Sequence, residues 1–301
     1  TMRTINTTGL HPVLYTALSS SYMKNQENRN QERKDWSVTE LLLPPKISIL
    51  TKRHKDELEI DAINLIDVSF GTILHSLIET SYKHLDLPNI YLETKVKTVF
   101  QDKIISGRVD FYDLEKKEII DFKYYKANSW LFIDDKIEEL TWQLNMYKWL
   151  MELNGFPVDK LTILFIFKDY NSYTAKRDQH YPNSVWQELE IECKSRDEIE
   201  AYVENKLNIL NEYEKLADDL IPNCSYEDRW QNPDSYNVFS EGKKIASFPT
   251  LEEAETFKNN NSINTYEIHL SKYSPKRCDK YCAVKDYCFF YTKLTKDEQD
   301  E

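Results

Sequence analysis

The stretch KIISGRVDFYDLEKKEIIDFKYY, residues 103–125, decides how the chain is built. Ile105, Gly107, Val109 and Phe111 alternate with Arg108 and Asp110, the two-residue period of a strand with unlike faces. The charged stretch 115–117 turns the chain, and EIIDFKYY reads as a second strand antiparallel to the first. Folding one strand on the other lets Asp110 and Asp121 lie near each other at one end of the sheet. Asp121 and Lys123 are two apart and project from the same face. Two carboxylates and an ammonium so placed suit Mg2+ or Mn2+, with water and phosphate completing the octahedron. An isolated D-x-K triplet is usually just the charged face of a strand, so its surroundings carry the weight.

Upstream, Ile90–Phe100 reads as a third strand, completing an antiparallel meander. Before it, Ile63, Ile66, Phe70, Ile73, Leu74, Leu77 and Ile78 recur at helical spacing between Glu57 and Leu85. Gly71 in this helix is expected to admit another element closely, and His75 and Glu79 share a face. Ser37 with Glu40 forms a capping-box pattern before Pro44 and Pro45 stop a short helix. Downstream, a helix over 136–153 carries Gln143 and Tyr147 on one face, both able to reach the charged sheet end. LTILFIF, residues 161–167, reads as a buried strand. The order helix, three antiparallel strands, helix, strand predicts an α/β fold.

The polar run KNQENRNQERKD near the N-terminus reads as a helix end and an exposed connection without chemistry. Beyond Ser195 an acidic helix is expected to about Leu220. Residues 224–278 look like a small inserted unit, with strands at 236–239 and 265–270, a turn at Glu241 and Gly242, and a helix at 251–259. The expected organisation is therefore an N-terminal extension over 1–36, a core with its acidic helix over 37–220, and a cysteine-bounded region over 221–301.

A chain of 301 residues with 41% hydrophobic and 13% aromatic content is folded, not disordered. No run of about 18 apolar residues and no secretory layout is read at the start, so a cytoplasmic protein without membrane contact is expected. The net charge of −12 excludes a protein that coats nucleic acid through bulk charge. It does not exclude a nuclease, because a metal site needs carboxylates and the ion reverses the local sign.

Five cysteines are too few and too unevenly spaced for a disulfide scaffold. Cys278, Cys282 and Cys288 are near enough along the chain to share a metal centre.

In order, G-x-x-x-H at Gly71 to His75, G-R-V-D at Gly107 to Asp110, D-F-K at Asp121 to Lys123 and Q-x-x-x-Y at Gln143 to Tyr147 resemble the motifs of the RecB-type PD-(D/E)XK nucleases. These include phage exonucleases and exonucleases of CRISPR adaptation. Val109 stands where the family name places proline, while the aspartate that carries the chemistry is kept. The resemblance implies a restriction-endonuclease-like core with a C-terminal metal- or cluster-bound appendage. It implies that His75, Asp110 and Asp121 bind the catalytic metal with the Phe122 carbonyl, and that Lys123 serves the attacking water. Gln143 and Tyr147 would steady the site and contact the DNA backbone, with Glu79 at most a partner of the metal ligands. It further implies a [4Fe–4S] cluster on Cys278, Cys282, Cys288 and a fourth thiol. That fourth cysteine usually precedes the nuclease motifs, whereas here Cys224, which opens the insert, is the substitute; Cys193 reads as an ordinary buried thiol. Zn2+ would use the same four thiolates.

Basic residues such as Lys95, Lys97, Arg108, Lys126, Lys168, Lys176 and Arg177 could track phosphates, and Tyr124, Tyr125 and Trp130 could stack on unpaired bases. The function these features imply is a metal-dependent DNA exonuclease or end-processing enzyme, with DNA and recombination or repair proteins as partners. A restriction-like endonuclease is the enzymatic rival, and a non-catalytic nucleic-acid-binding scaffold the rival of another class.

Overall fold

The computed structural model describes residues 2–30, 34–85, 87–261 and 266–300. In chain order the elements are β1 (Arg3–Ile5), α1 (Pro12–Asn30), β2 (Trp36–Ser37), α2 (Val38–Leu42), α3 (Pro45–Arg53), β3 (Glu59–Asp61), α4 (Leu65–Leu85), β4 (Ile90–Phe100), β5 (Lys103–Asp113), β6 (Glu118–Tyr125), α5 (Ile137–Leu153), β7 (Lys160–Phe167), α6 (Ser172–Ala175), β8 (Trp186–Ile191), α7 (Arg196–Tyr213), β9 (Ser235–Ser240), β10 (Lys243–Phe248), α8 (Leu251–Asn260), β11 (Tyr266–Ser271), α9 (Lys276–Lys280) and α10 (Phe289–Asp300). The protein is mixed α/β with several sheets. Two compact units comprise Thr1–Ser48 with Lys55–Glu214, and Ile49–His54 with Lys215–Glu301.

In the first unit β4, β5 and β6 form the expected antiparallel meander, β7 runs parallel to β6, and β8 is antiparallel to β7. A parallel neighbour requires a crossover, and α5 supplies it between β6 and β7. The two-residue turn at Gln101 and Asp102, with φ of 48° and 61°, has the positive angles of a primed hairpin and sets the β4–β5 register. One side of β5 pairs with β4. The other is shared between β2 at Ile105 and Ser106 and β6 at Phe111–Asp113. Between those two contacts β5 and β6 part company, and the candidate site residues gather there.

Helix α5 buries Leu140, Leu144, Trp149 and Leu150, while α7 buries Ile199, Val203, Leu207 and Leu210. Ile105, Ile119, Leu161, Ile163 and Phe165 of the sheet are fully excluded from water. Ser37 and Ser195 both head their helices with complete capping boxes, satisfying amides that the first turn leaves free.

Three local expectations need correction. Glu57–Asn64 is not the start of the long helix: Glu59–Asp61 pairs parallel with β1, and a tight turn leads into α4. Helix α1 extends through Asn30, taking in part of the polar run read as a connection. The acidic helix ends at Tyr213, not near Leu220. The region Ala62–Leu85 is long and apolar enough by composition to cross a membrane, although no single uninterrupted apolar run is written there. Phe70, Ile73 and Leu77 on α4 are exposed.

In the second unit β9 is the centre of a three-stranded antiparallel sheet, flanked by β10 and β11. Sequence patterning missed β10; the turn at Glu241 and Gly242 connects it to β9. Of the strand expected over 265–270, Thr265 lies outside the described residues, and β11 begins at Tyr266. Val238, Ala254 and Tyr266 form a small core with Tyr236, Phe248, Phe257 and Ile268. Elsewhere in this unit the His54 ring stacks on Tyr287 at 3.9 Å and its Nε2 lies 2.7 Å from Asp218.

Candidate metal and active site

Asp110 sits where the β5–β6 ladder stops. The last backbone pair is Phe111 with Ile120, and the next outward-facing amide, that of Phe122, donates to Asp110 Oδ2 at 3.0 Å. A carboxylate thus replaces the missing strand partner and is fixed by the chain that carries Asp121. Helix α4 brings His75 to the same place. Its ring meets the edge of Phe122, and Nδ1 lies 3.1 Å from Glu93 Oε1 and 3.5 Å from Asp110 Oδ1. The ligand atoms of His75, Glu93 and Asp110 all fall within 4.8 Å of one another, a spacing that suits one shared cation.

Glu93 was not anticipated from the sequence. The pairs Leu92 with Phe111 and Thr94 with Val109 place it across from Asp110. Its φ is 47°, in the left-handed region that a glutamate rarely occupies, and its second oxygen forms an ion pair with Arg108, 2.9 Å from Nε. The signal was the hairpin register, which the turn at 101 and 102 fixes.

Asp121 is almost wholly buried. The Lys123 ammonium lies 2.7 Å from its Oδ2, a charge-to-charge approach without the direction of a hydrogen bond, and no other group donates to that oxygen. Lys123 also donates to Gln143 Oε1 of α5 at 2.9 Å. Burial opposes charge on Lys123, but the neighbouring Asp121 more than offsets it and holds the ammonium above the usual lysine range. Burial, followed by the Asp121 charge, pushes Asp110 up to about 7. Glu93 raises His75 through their hydrogen bond, against the desolvation that would lower it. A buried Asp110 carboxyl raised by burial and by the charge of Asp121, beside a histidine and a second carboxylate within reach of one ion, has the electrostatics of a cation site.

Tyr147 of α5 is buried beside Gln143, and burial with Asp121 nearby raises its phenol well above the usual tyrosine range. Its ring packs on Gly107: a Cβ at that glycine would lie 3.0 Å from Tyr147 ring carbons and 2.9 Å from a Leu150 methyl. Gly71, expected to permit a close approach, has nothing within 4 Å of such a Cβ. Glu79 pairs with Lys83 at 2.6 Å, on the surface, in place of any contact with His75. Tyr125 and Trp130 pack on Phe165, which accounts for them as packing residues.

The second unit assembles the other cysteines. Cys224 is pushed up to about 12 by burial, then Asp228, then the charges of Cys288, Cys282 and Cys278, although, among the described residues, no three of these sulfurs lie within 4.8 Å of one another. Cys278 is raised to about 11, again by burial first, with Arg229 opposing. Arg229 is 7% exposed, lies between the rings of Tyr226 and Phe290 at 4.6 and 4.3 Å, and its Nε has no hydrogen-bond partner. Cys193 is not the buried thiol expected; it is exposed beyond the end of β8, 3.6 Å from the Asp159 carbonyl.

No family model matches the sequence, and none of the curated proteins does. Similar solved structures include SSO0001, 20% identical over 62% of this chain and 83% of that one, with a TM-score of 0.44. Another is a phage-related exonuclease from Haemophilus somnus 129PT, 16% identical over 49% of this chain and 70% of that one, with a TM-score of 0.33. Neither likeness assigns a role to any residue.

Proposed function

We propose that the protein is a divalent-metal-dependent nuclease that hydrolyses DNA phosphodiester bonds, acting as an exonuclease or end-processing enzyme. The observation that carries this reading is the convergence of the His75, Glu93 and Asp110 ligand atoms within 4.8 Å of one another, with Asp110 fixed by the amide next to buried Asp121 and Asp121 paired with Lys123. His75, Asp110, Asp121 and the Phe122 carbonyl would hold Mg2+ or Mn2+, with Glu93 as a further carboxylate at the same place. Such an ion supplies a Lewis acid for the phosphoryl oxygen and an acidified water. Lys123 carries its proton in this environment, so its part is to orient the attacking water and stabilise charge on phosphate, held in aim by Gln143. Tyr147 fixes the α5 wall against Gly107.

The four thiols, Cys224, Cys278, Cys282 and Cys288, would hold a [4Fe–4S] cluster or Zn2+. Arg229 supports such a centre: its guanidinium lies close to Cys278 with the buried Nε unpartnered, and four thiolates around either metal would leave a net negative charge near it.

The test is incubation of end-labelled linear and closed circular DNA with Mg2+, Mn2+ or EDTA, using wild type, Asp121→Ala and Lys123→Ala. Metal-dependent loss of label from linear DNA, absent in both variants with binding retained, is the expected result. Full cleavage by either variant refutes the site.

A further inference from the structure

We propose that Trp230, Tyr281 and Arg277 form a second nucleic-acid site, built wholly from the second unit, that takes an unpaired base of a single strand. Trp230 is 50% and Tyr281 68% exposed, and their ring centroids are 5.3 Å apart at 59°. The Arg277 guanidinium lies 5.1 Å from the centre of the Trp230 ring. Two large rings held side by side in water with a cation beside one of them present both attractions that an unpaired nucleotide offers, a π-face and a phosphate.

The platform is held in place, not left loose. Trp230 adopts φ 52°, which a bulky side chain rarely does, and its amide donates to the Glu227 carbonyl at 2.9 Å. Ser225 and Asp228 exchange hydrogen bonds across the same turn, and Gln231 N–H closes it on the Tyr226 carbonyl at 2.9 Å. Arg277 is tied in through its amide to the Arg229 carbonyl at 3.0 Å and through its guanidinium to the Asp228 carbonyl at 3.3 Å.

Charge selects the occupant. The chain as a whole is at −12, yet between Lys272 and Lys293 there are six Lys and Arg against two Asp, interleaved with six aromatic residues. An acidic peptide would use the cations and leave the rings unexplained, and a duplex keeps its base faces stacked away from any ring. Only an unpaired strand uses both. The choice of nucleic acid over another anion rests on the proposed nuclease reading.

Binding is measured on the full chain as purified, without chelator and without added Mg2+ or Mn2+, by fluorescence anisotropy. The probes are a labelled twelve-nucleotide oligothymidylate, an abasic strand with the same phosphates, and a duplex of equal length. Wild type should prefer oligothymidylate to the abasic strand by about tenfold or more, as expected for one or two stacked bases. Trp230→Ala with Tyr281→Ala should remove that preference and leave the affinity for the abasic strand unchanged, while Trp230→Phe keeps it. Tyr281→Ala alone, at the more exposed of the two rings, should reduce it about threefold to tenfold and guards against a misfolded double variant. The proposal is overturned if the double variant, folded by circular dichroism, retains the wild-type preference, or if polyglutamate displaces the wild type as well as oligothymidylate does. Absence of Mg2+-dependent cleavage with the preference intact would refute the nuclease reading and leave this site standing.

Discussion

Replacing Gly107 with alanine drives a methyl group into helix α5. The new carbon would lie 2.9 Å from a Leu150 methyl and 3.0 Å from the Tyr147 ring, where ordinary contacts begin at 3.4 Å. The helix must retreat by about half an ångström or the ring must turn, and such overpacking typically costs about 1–3 kcal/mol. At about 2–4 °C per kcal/mol, the melting temperature should fall by about 2–12 °C. Gln143 rides one turn before Tyr147 on the same helix and accepts from Lys123 at 2.9 Å, so the displacement reaches the reacting groups. A misplacement of this order can lower turnover about tenfold to a hundredfold. Gly71→Ala is the matched control: its Cβ meets nothing within 4 Å, and a helical alanine should raise stability by about 0.5–1 kcal/mol. Thermal melts and single-turnover cleavage of end-labelled DNA measure both. Gly107→Ala with wild-type melting and turnover, or Gly71→Ala with the larger loss, would refute the packing argument.

Other outcomes follow from the same geometry. His75→Ala and Glu93→Gln should each raise the Mn2+ concentration needed for half-maximal cleavage about tenfold or more without changing the fold, read by metal titration; an unchanged requirement returns both to a structural ion pair. Metal-free protein should lose stability as pH rises from about 4 to about 7, because Asp110, raised to about 7, binds its proton more tightly folded than unfolded; His75, also raised, acts with the same sign. Melting curves from pH 4 to 8 check this, and Asp110→Asn should flatten the trend. Serine at Cys224, Cys278, Cys282 or Cys288 should lower solubility and melting temperature, whereas Cys193→Ser, at an exposed thiol, should be nearly silent. Anaerobic purification with metal and sulfide analysis separates iron–sulfur from zinc, and well-folded protein holding neither removes the centre.

The meander and its crossover helix were legible because alternation in residues 90–125 and helical spacing in 136–153 are strong, local patterns. Asp110, Asp121, Lys123 and Gln143 could be placed together from those patterns alone. Glu93 could not, because its partner Asp110 is set by hairpin register through a Gln-Asp turn lacking the glycine that usually announces one. The roles of the two glycines were also hidden: spacing shows where Gly71 and Gly107 lie, but only the packed helix shows which one faces a neighbour. Strand β3 was lost to a helical reading because its partner is β1, more than fifty residues earlier in the chain. Arg229 gave no signal at all in sequence, since burial of a charged residue is a property of what folds over it.

That arginine bears on how long the protein would last in a cell. Its guanidinium packs against the Tyr226 and Phe290 rings, 7% exposed and close to Cys278. With the thiols protonated and unloaded, the second unit would carry a buried cation whose desolvation is on the order of several kcal/mol, comparable with the whole stability of a small domain. On the proposal that the four thiols hold a centre, a newly made chain without it would open the second unit readily and present it to proteases. If the four thiols hold the proposed centre, supply of that metal or cluster would set the abundance of the protein, with half-life as the first quantity to respond.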